Sequence, residues 1–275
     1  MKQNTKKEIA NKTLIIIESG KYNNSIEDID AKKMIESSFN ETYCIAPNQI
    51  DLTSKIFTEE QFQTEIEVYN ATSTESIVKE YNREKIAVLN FASAKNPGGG
   101  FLGGASAQEE SLARSSSLYH SLLKCMEAYQ FNRNESTYLY SDYMIYSPNT
   151  VFWFDDKGFP FKNPYLVDVI TSAAPNRGAM LQNNKLNELE CIESTFKRRI
   201  ELVLRLALDN KVKTLILGAW GCGVFRNKTE DVARYFKEVI DEKFENKFKK
   251  IVFAVYDSSE NKKTFSDFKL KFSET

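Results

Sequence analysis

Histidine is almost missing from this chain: His120 is the single one in 275 residues. Any mechanism that needs two histidines is therefore excluded, including the H-E-x-x-H metalloproteases and di-histidine zinc sites. The four cysteines, Cys44, Cys125, Cys191 and Cys222, are far apart and form no C-x-x-C pair. That spacing argues against a disulfide framework and against a zinc site, and it points to a reducing compartment. No apolar run approaches the length of a membrane span. Met1 is followed by Lys2, Lys6, Lys7 and Glu8 rather than by a compact apolar segment, so no secretory signal is expected and the cytoplasm is the expected location. Neither sign of charge dominates, with 37 Lys+Arg against 38 Asp+Glu. Without a global basic field, sequence-specific binding of duplex nucleic acid is not expected, although a local phosphate site remains open. No linker rich in Pro, Gly and Ser and no solenoid-type repeat divides the chain.

What is present is an ordinary globular composition, 41% hydrophobic and 27% charged, long enough to bury a sizeable core. Thr5 to Ser19 reads as a helix with Ala10, Leu14 and Ile17 on one face and Gly20 as its C-cap. Asp30 to Phe39 reads as a weaker helix, and Cys44 to Phe57 as connector with some strand. From Glu65 onward the grammar alternates. Strands are expected at Glu65–Tyr69, Ile86–Phe91, Val151–Phe154, Leu166–Thr171, Thr214–Leu217 and Ile251–Val255. Helices are expected at Thr74–Arg83, from about Glu109 to Phe131, at Leu186–Leu208 and at Glu230–Phe244. Strands alternating with helices predict an α/β sandwich with helices on both faces. The expected organisation is a helical N-terminal extension, 1–60, packed on a core of 61–275, a single domain overall.

Two glycine-rich loops follow buried strands. The first runs Asn96-Pro97-Gly98-Gly99-Gly100-Phe101-Leu102-Gly103-Gly104, with five of the chain's 11 glycines in seven positions. A backbone without side chains approaches a ligand closely, turns successive N–H groups inward, and can take positive φ. A following helix adds unpaired N–H groups and a positive dipole end. A diphosphate or another oxyanion is the ligand such a loop suits, while a tight or mobile loop with no ligand is the bland alternative. The second loop is Gly218-Ala219-Trp220-Gly221-Cys222-Gly223-Val224-Phe225. Loops at the carboxyl ends of strands in one sheet converge on one crevice, and Gly99 and Gly223 are expected to lie where the ligand passes. Gly98, Gly100 and Gly103 match G-x-G-x-x-G formally. The loop is too long, however, and the region about 20 residues on falls in a helix rather than at a strand end, so the dinucleotide fingerprint fails. No G-x-x-x-x-G-K-[ST] and no G-x-S-x-G is present either.

Gln108-Glu109-Glu110 opens the helix after the first loop. Acidic residues favour a first helical turn through its dipole, which is reason enough for them to be there. Beside a diphosphate, though, extra negative charge is unfavourable unless chemistry needs it. Glycoside cleavage needs a carboxyl group that protonates a leaving oxygen and stabilises an oxocarbenium-like centre.

At these residues the chain resembles the bacterial-type poly(ADP-ribose) glycohydrolases. Gly98-Gly99-Gly100, a seven-residue spacer and Gln108-Glu109-Glu110 match that family's pattern, and the second loop is similar to the family's second phosphate loop. The resemblance implies a three-layer α/β/α macrodomain-like sandwich with a mixed sheet that binds the terminal ADP-ribose of the polymer. By position Glu110 corresponds to the catalytic general acid and base, and Glu109 to its acidic partner that orients the ribose. Asn96 and Gly98–Gly100 would hold the distal ribose, with Phe101 and Gln108 beside them. Gly221, Cys222, Gly223 and Val224 would wrap the diphosphate, and Phe225 would pack on the ligand. No cofactor or metal is implied. The implied partner is poly(ADP-ribose) or an ADP-ribosylated protein, with ADP-ribose as product. Removal of mono(ADP-ribose) and non-catalytic ADP-ribose binding stay open as alternatives.

Overall fold

A computed structural model describes residues 1–58, 60–82 and 84–273. The chain begins with helix α1, Gln3–Ser19, which ends on Gly20. Gly20 sits at φ 73° and donates its N–H to Ile16 O, the left-handed cap that only glycine adopts cheaply. A short hairpin of β1, Lys21–Asn23, and β2, Asp28–Asp30, leads to α2, Lys32–Glu41, and β3, Tyr43–Ile45. Next come β4, Glu65–Tyr69, then α3, Ser73–Glu80, and β5, Ile86–Phe91. Helix α3 starts with a reciprocal capping box between Thr72 and Glu75. Arg83, expected to end this helix, lies outside the described residues.

The expected long helix is three helices: α4, Gln108–Ser115, α5, Leu118–Leu123, and α6, Met126–Asn134. Serine is the reason for the first break. Ser116 is extended, pairs with Phe152 and turns its hydroxyl onto Leu112 O. Ser117 donates its N–H to Val151 O and accepts at Oγ from Val151 N. Side-chain oxygens that satisfy backbone groups locally compete with a continuing helix. Two long strands follow, β6, Met144–Phe154, and β7, Pro160–Ser172. Each is longer than the apolar run that announced it. The last third contains α7, Arg177–Gln182, α8, Leu186–Glu190, α9, Ile192–Asp209, β8, Thr214–Gly218, α10, Thr229–Lys243, β9, Lys250–Ala254, and α11, Lys263–Ser273.

Seven strands form one mixed sheet in the order β3-β6-β7-β5-β8-β9-β4. The β3, β6 and β7 neighbours run antiparallel, and β7, β5, β8, β9 and β4 run parallel. The period-two pattern of β5 divides its side chains between two cores. Ala87 and Leu89 face one with Phe196 and Ile200 of α9, Phe236 of α10 and Phe268 of α11. Ile86 and Val88 face the other with Ile77 of α3, Leu112 of α4 and Leu122 of α5. The result is three layers, helices on both sides of the sheet, as expected. Residues 1–60 contribute edge strand β3 to this sheet, and α1 lies over the first glycine loop through Ala10, which packs with Phe101 and Ala113. Among the described residues no helix is long and apolar enough to cross a membrane.

Candidate active site

The parallel strands β5, β8 and β9 end along one edge, where a cleft of about 600 Å³ opens between the two glycine loops. That volume lies in the range of small-molecule sites. The first loop folds back on itself through two successive left-handed glycines, Gly98 at φ 68° and Gly99 at φ 57°. Gly99 N–H donates to Asn96 O at 3.0 Å, and the neighbouring Gly100 N–H donates to Oε1 of Glu110 at 3.0 Å. The loop backbone therefore holds a carboxylate from the helix that follows it.

The two glutamates have different surroundings. Glu109 is 2% exposed and accepts from Ser93 N at 2.7 Å and from Asn90 Nδ2 at 3.4 Å. Burial pushes its carboxyl up to about 8, against the opposing pull of those hydrogen bonds, and the Glu110 charge adds to the rise. Glu110 is half-buried, and its Oε2 is shielded from solvent without a hydrogen-bond partner. Both residues line the cleft, as do Asn96, Gly99, Gly100 and Gln108.

Two expected contacts lie off the cleft, and a third is occupied within the protein. Gly98 and Phe101 do not line the cleft: the Phe101 ring is 1% exposed and packs on Ala10, Ala113 and Tyr119, the last at 4.8 Å between centroids. Phe101 therefore anchors the loop to α1 and α4. The Gln108 side chain reaches the cleft wall but is occupied at both ends, accepting from Phe91 N at 2.9 Å and donating to Leu89 O at 2.8 Å and Ser73 Oγ at 3.0 Å. Its amide ties the start of α4 to β5 and α3, which fixes the direction of the adjoining glutamates.

The second loop is anchored by Trp220, fully buried, with its indole N–H donating to Ser172 O at 3.2 Å. Gly221 takes φ 72°, and a Cβ there would lie 2.6 Å from Ala174 Cβ and 2.7 Å from Asn227 Nδ2. Gly223 is not left-handed and has open space where a Cβ would stand. The conformational demand thus falls on Gly221, and the open approach falls on Gly223. Burial pushes the Cys222 thiol up, the opposite of what a thiolate nucleophile needs. Val224 is 77% exposed at the rim, and Phe225 leans on Tyr140 at 5.9 Å between centroids. His120 stacks on Phe39, away from the cleft lining.

Sequence reading missed two residues. Asn90 donates to both Glu109 and Thr171 Oγ1; its signal was a polar residue inside an otherwise apolar strand. Asp156, from the turn between β6 and β7, lines the cleft and accepts from Thr72 Oγ1 at 2.5 Å. Its Oδ1 is buried without a partner, and burial pushes its carboxyl up. Nothing near Asp156 in sequence marks it; the hairpin brings it there.

A parallel-centred mixed sheet with paired ligand loops at its carboxyl edge makes this a macrodomain-like protein. Residues 10–155 match the model of the microbial-type poly(ADP-ribose) glycohydrolase (PARG) catalytic domain. The fold is similar to poly(ADP-ribose) glycohydrolase from Thermomonospora curvata, with 34% identity over 98% of this chain and 100% of that one and a TM-score of 0.89. The same enzyme bound to the inhibitor ADP-HPD gives 35% identity, 98% and 100% coverage, and a TM-score of 0.90. The Deinococcus radiodurans enzyme in complex with ADP-ribose gives 38% identity over 88% of this chain and 98% of that one, with a TM-score of 0.81. The chain belongs to the microbial-type poly(ADP-ribose) glycohydrolase family. No curated protein matches it.

Proposed function

We propose that the protein hydrolyses the O-glycosidic ribose–ribose bonds of poly(ADP-ribose) and releases ADP-ribose. The observation that carries this reading is the arrangement of Glu110, clamped at Oε1 by the Gly100 N–H and unpartnered at the shielded Oε2. That oxygen has hydrogen-bonding capacity that no protein group fills, which supports its use by the substrate. In this mechanism Glu110, protonated, donates to the departing ribose oxygen as the C–O bond breaks. The oxocarbenium-like ribose is held between the loops. Glu110, now a carboxylate, then takes a proton from the water that attacks the anomeric carbon. Glu109, neutral below about pH 8, donates a hydrogen bond to a ribose hydroxyl. Asn96, Gly99 and Gly100 hold the distal ribose, and Gly221 to Val224 surround the diphosphate, with Phe225 packed on the ligand.

The expected partner is the polymer or an ADP-ribosylated protein. The near-zero net charge supports a ligand taken by the loops rather than a duplex nucleic acid read by a basic face. Four cysteines outside any disulfide support a cytoplasmic setting. The division at 1–60 and 61–275 is retained as extension and core, and the pairing of β3 with β6 supports their acting as one unit.

Incubation with poly(ADP-ribose), with products separated by mass, tests the reading. Release of ADP-ribose is expected, and Glu110→Gln should slow it by about 10²–10⁴-fold while calorimetric binding of ADP-ribose persists. Intact polymer, with release only from a mono(ADP-ribosyl)ated peptide, would replace this reading with the mono-hydrolase. Binding without release from either would leave a reader.

A further inference from the structure

Cys44 and Cys125 are 81 positions apart in sequence, yet the fold sets them together with Glu127. The two sulfurs and a carboxylate oxygen lie within 4.8 Å of one another. Cys44 comes from edge strand β3, Cys125 from the turn before α6, and Glu127 from the first turn of that helix. None of the three lines the cleft. We propose that Cys44, Cys125 and Glu127 form a binding site for one thiophilic divalent cation of the zinc type, distinct from the glycosidase cleft.

The donor set has the chemistry of such a site: two soft sulfurs and one carboxylate, with a water completing a tetrahedron. Bonds of about 2.3 Å to sulfur and about 2.0 Å to oxygen place donors roughly 3.3–3.8 Å apart, so closure needs movement of about 1 Å. Cys125 is buried, Cys44 half-buried and Glu127 exposed. Cys125 therefore forms the buried side of the site, and the side toward Glu127 and solvent admits the ion and its water. Binding replaces the thiol protons: the cation bonds both sulfurs and two protons go to the buffer, with no change of oxidation state. The bound ion would tie β3 of the extension to α6 of the core.

The test titrates reduced, chelator-dialysed protein with Zn²⁺ against a chromophoric competing chelator, and repeats the titration with Cd²⁺ to read the thiolate charge-transfer band. One equivalent is expected, with a higher thermal midpoint. Cys44→Ser should weaken binding by more than about 100-fold, beyond the loss typical of an outer partner; the exposed Cys191→Ser should leave it unchanged. Alkylation mapped by mass on the wild type avoids dependence on a folded variant, because Zn²⁺ should protect Cys44 and Cys125 but not Cys191. Absence of stoichiometric uptake by folded, fully reduced protein would overturn the proposal. So would uptake insensitive to Cys44→Ser, or a Cys44–Cys125 disulfide formed with peroxide in a protein that takes up no cation.

Discussion

Gly99 is packed directly against Glu110: a Cβ on Gly99 would overlap Oε1 of the carboxylate, 3.0 Å from its Cδ and 3.1 Å from Oε2 of Glu109. The glycine is thus a seat for both acids as well as part of a ligand loop. Its φ of 57° adds a second reason for the residue type. Gly99→Ala should therefore lower kcat by at least about 10²-fold, on the scale of a displaced general acid. Circular dichroism should keep the wild-type form, while the left-handed backbone and the displaced carboxylate lower stability by about 1–3 kcal/mol. A kcat within a few-fold of wild type would mean that Glu110 tolerates displacement and that the seat is incidental.

Glu109 makes stability depend on pH. Burial pushes its carboxyl up to about 8 in the folded protein, against 4.5 for a glutamate in water. Between those values the folded state binds a proton that the unfolded state has lost. The contribution of Glu109 is fully present below about pH 4.5 and fades as pH rises through 8. The loss amounts to a few kcal/mol at the alkaline end, roughly 1.4 kcal/mol for each pH unit of the window. Glu109→Gln cannot ionise, so the advantage of the variant over wild type in urea unfolding should grow from pH 5 to pH 9. Parallel stability curves for the two proteins would contradict a buried, elevated carboxyl.

Much of this arrangement is legible before any fold is known, and the limits have physical causes. The motif Gly98-Gly99-Gly100 and the pair Glu109-Glu110 are local, so their spacing survives in sequence. Strand β5 is readable because a strand buried on both faces is apolar at nearly every position. The helix after the first loop misleads because helical periodicity continues across Ser116 and Ser117, where long-range pairing to β6 overrides it. Helix α11 escaped notice although Phe265, Phe268 and Phe272 carry a helical spacing. Asp156, and the meeting of Cys44 with Cys125, arise from strand pairing between distant segments, which no window of sequence contains.

Asp156 supplies a third acidic group to the cleft, beside the capped start of α3. A buried acceptor without a partner costs about 1–3 kcal/mol, and a ligand donor placed against Oδ1 would recover part of that. Asp156→Ala should weaken ADP-ribose binding by roughly tenfold or more in calorimetry, with a smaller effect on kcat than on KM. Equal affinity in the two proteins would reduce Asp156 to a support for Thr72.

The two glycines of the second loop should fail in different ways. Gly221 is left-handed, and any side chain there collides with Ala174 and Asn227. Asn227 in turn donates to Gly221 O at 2.9 Å and Pro175 O at 2.8 Å, so Gly221→Val should distort the loop and lower stability by about 1–3 kcal/mol. Gly223 has neither constraint, and a Cβ there meets nothing within 4 Å. Gly223→Val should therefore leave the thermal midpoint close to wild type while its branched side chain occupies the approach to the loop, where a diphosphate would contact the backbone. The expected result is ADP-ribose affinity reduced by about tenfold or more in Gly223→Val without loss of fold. If Gly223→Val binds ADP-ribose as tightly as wild type, the diphosphate does not pass over the second loop, and the first loop with the start of α4 would have to hold it alone.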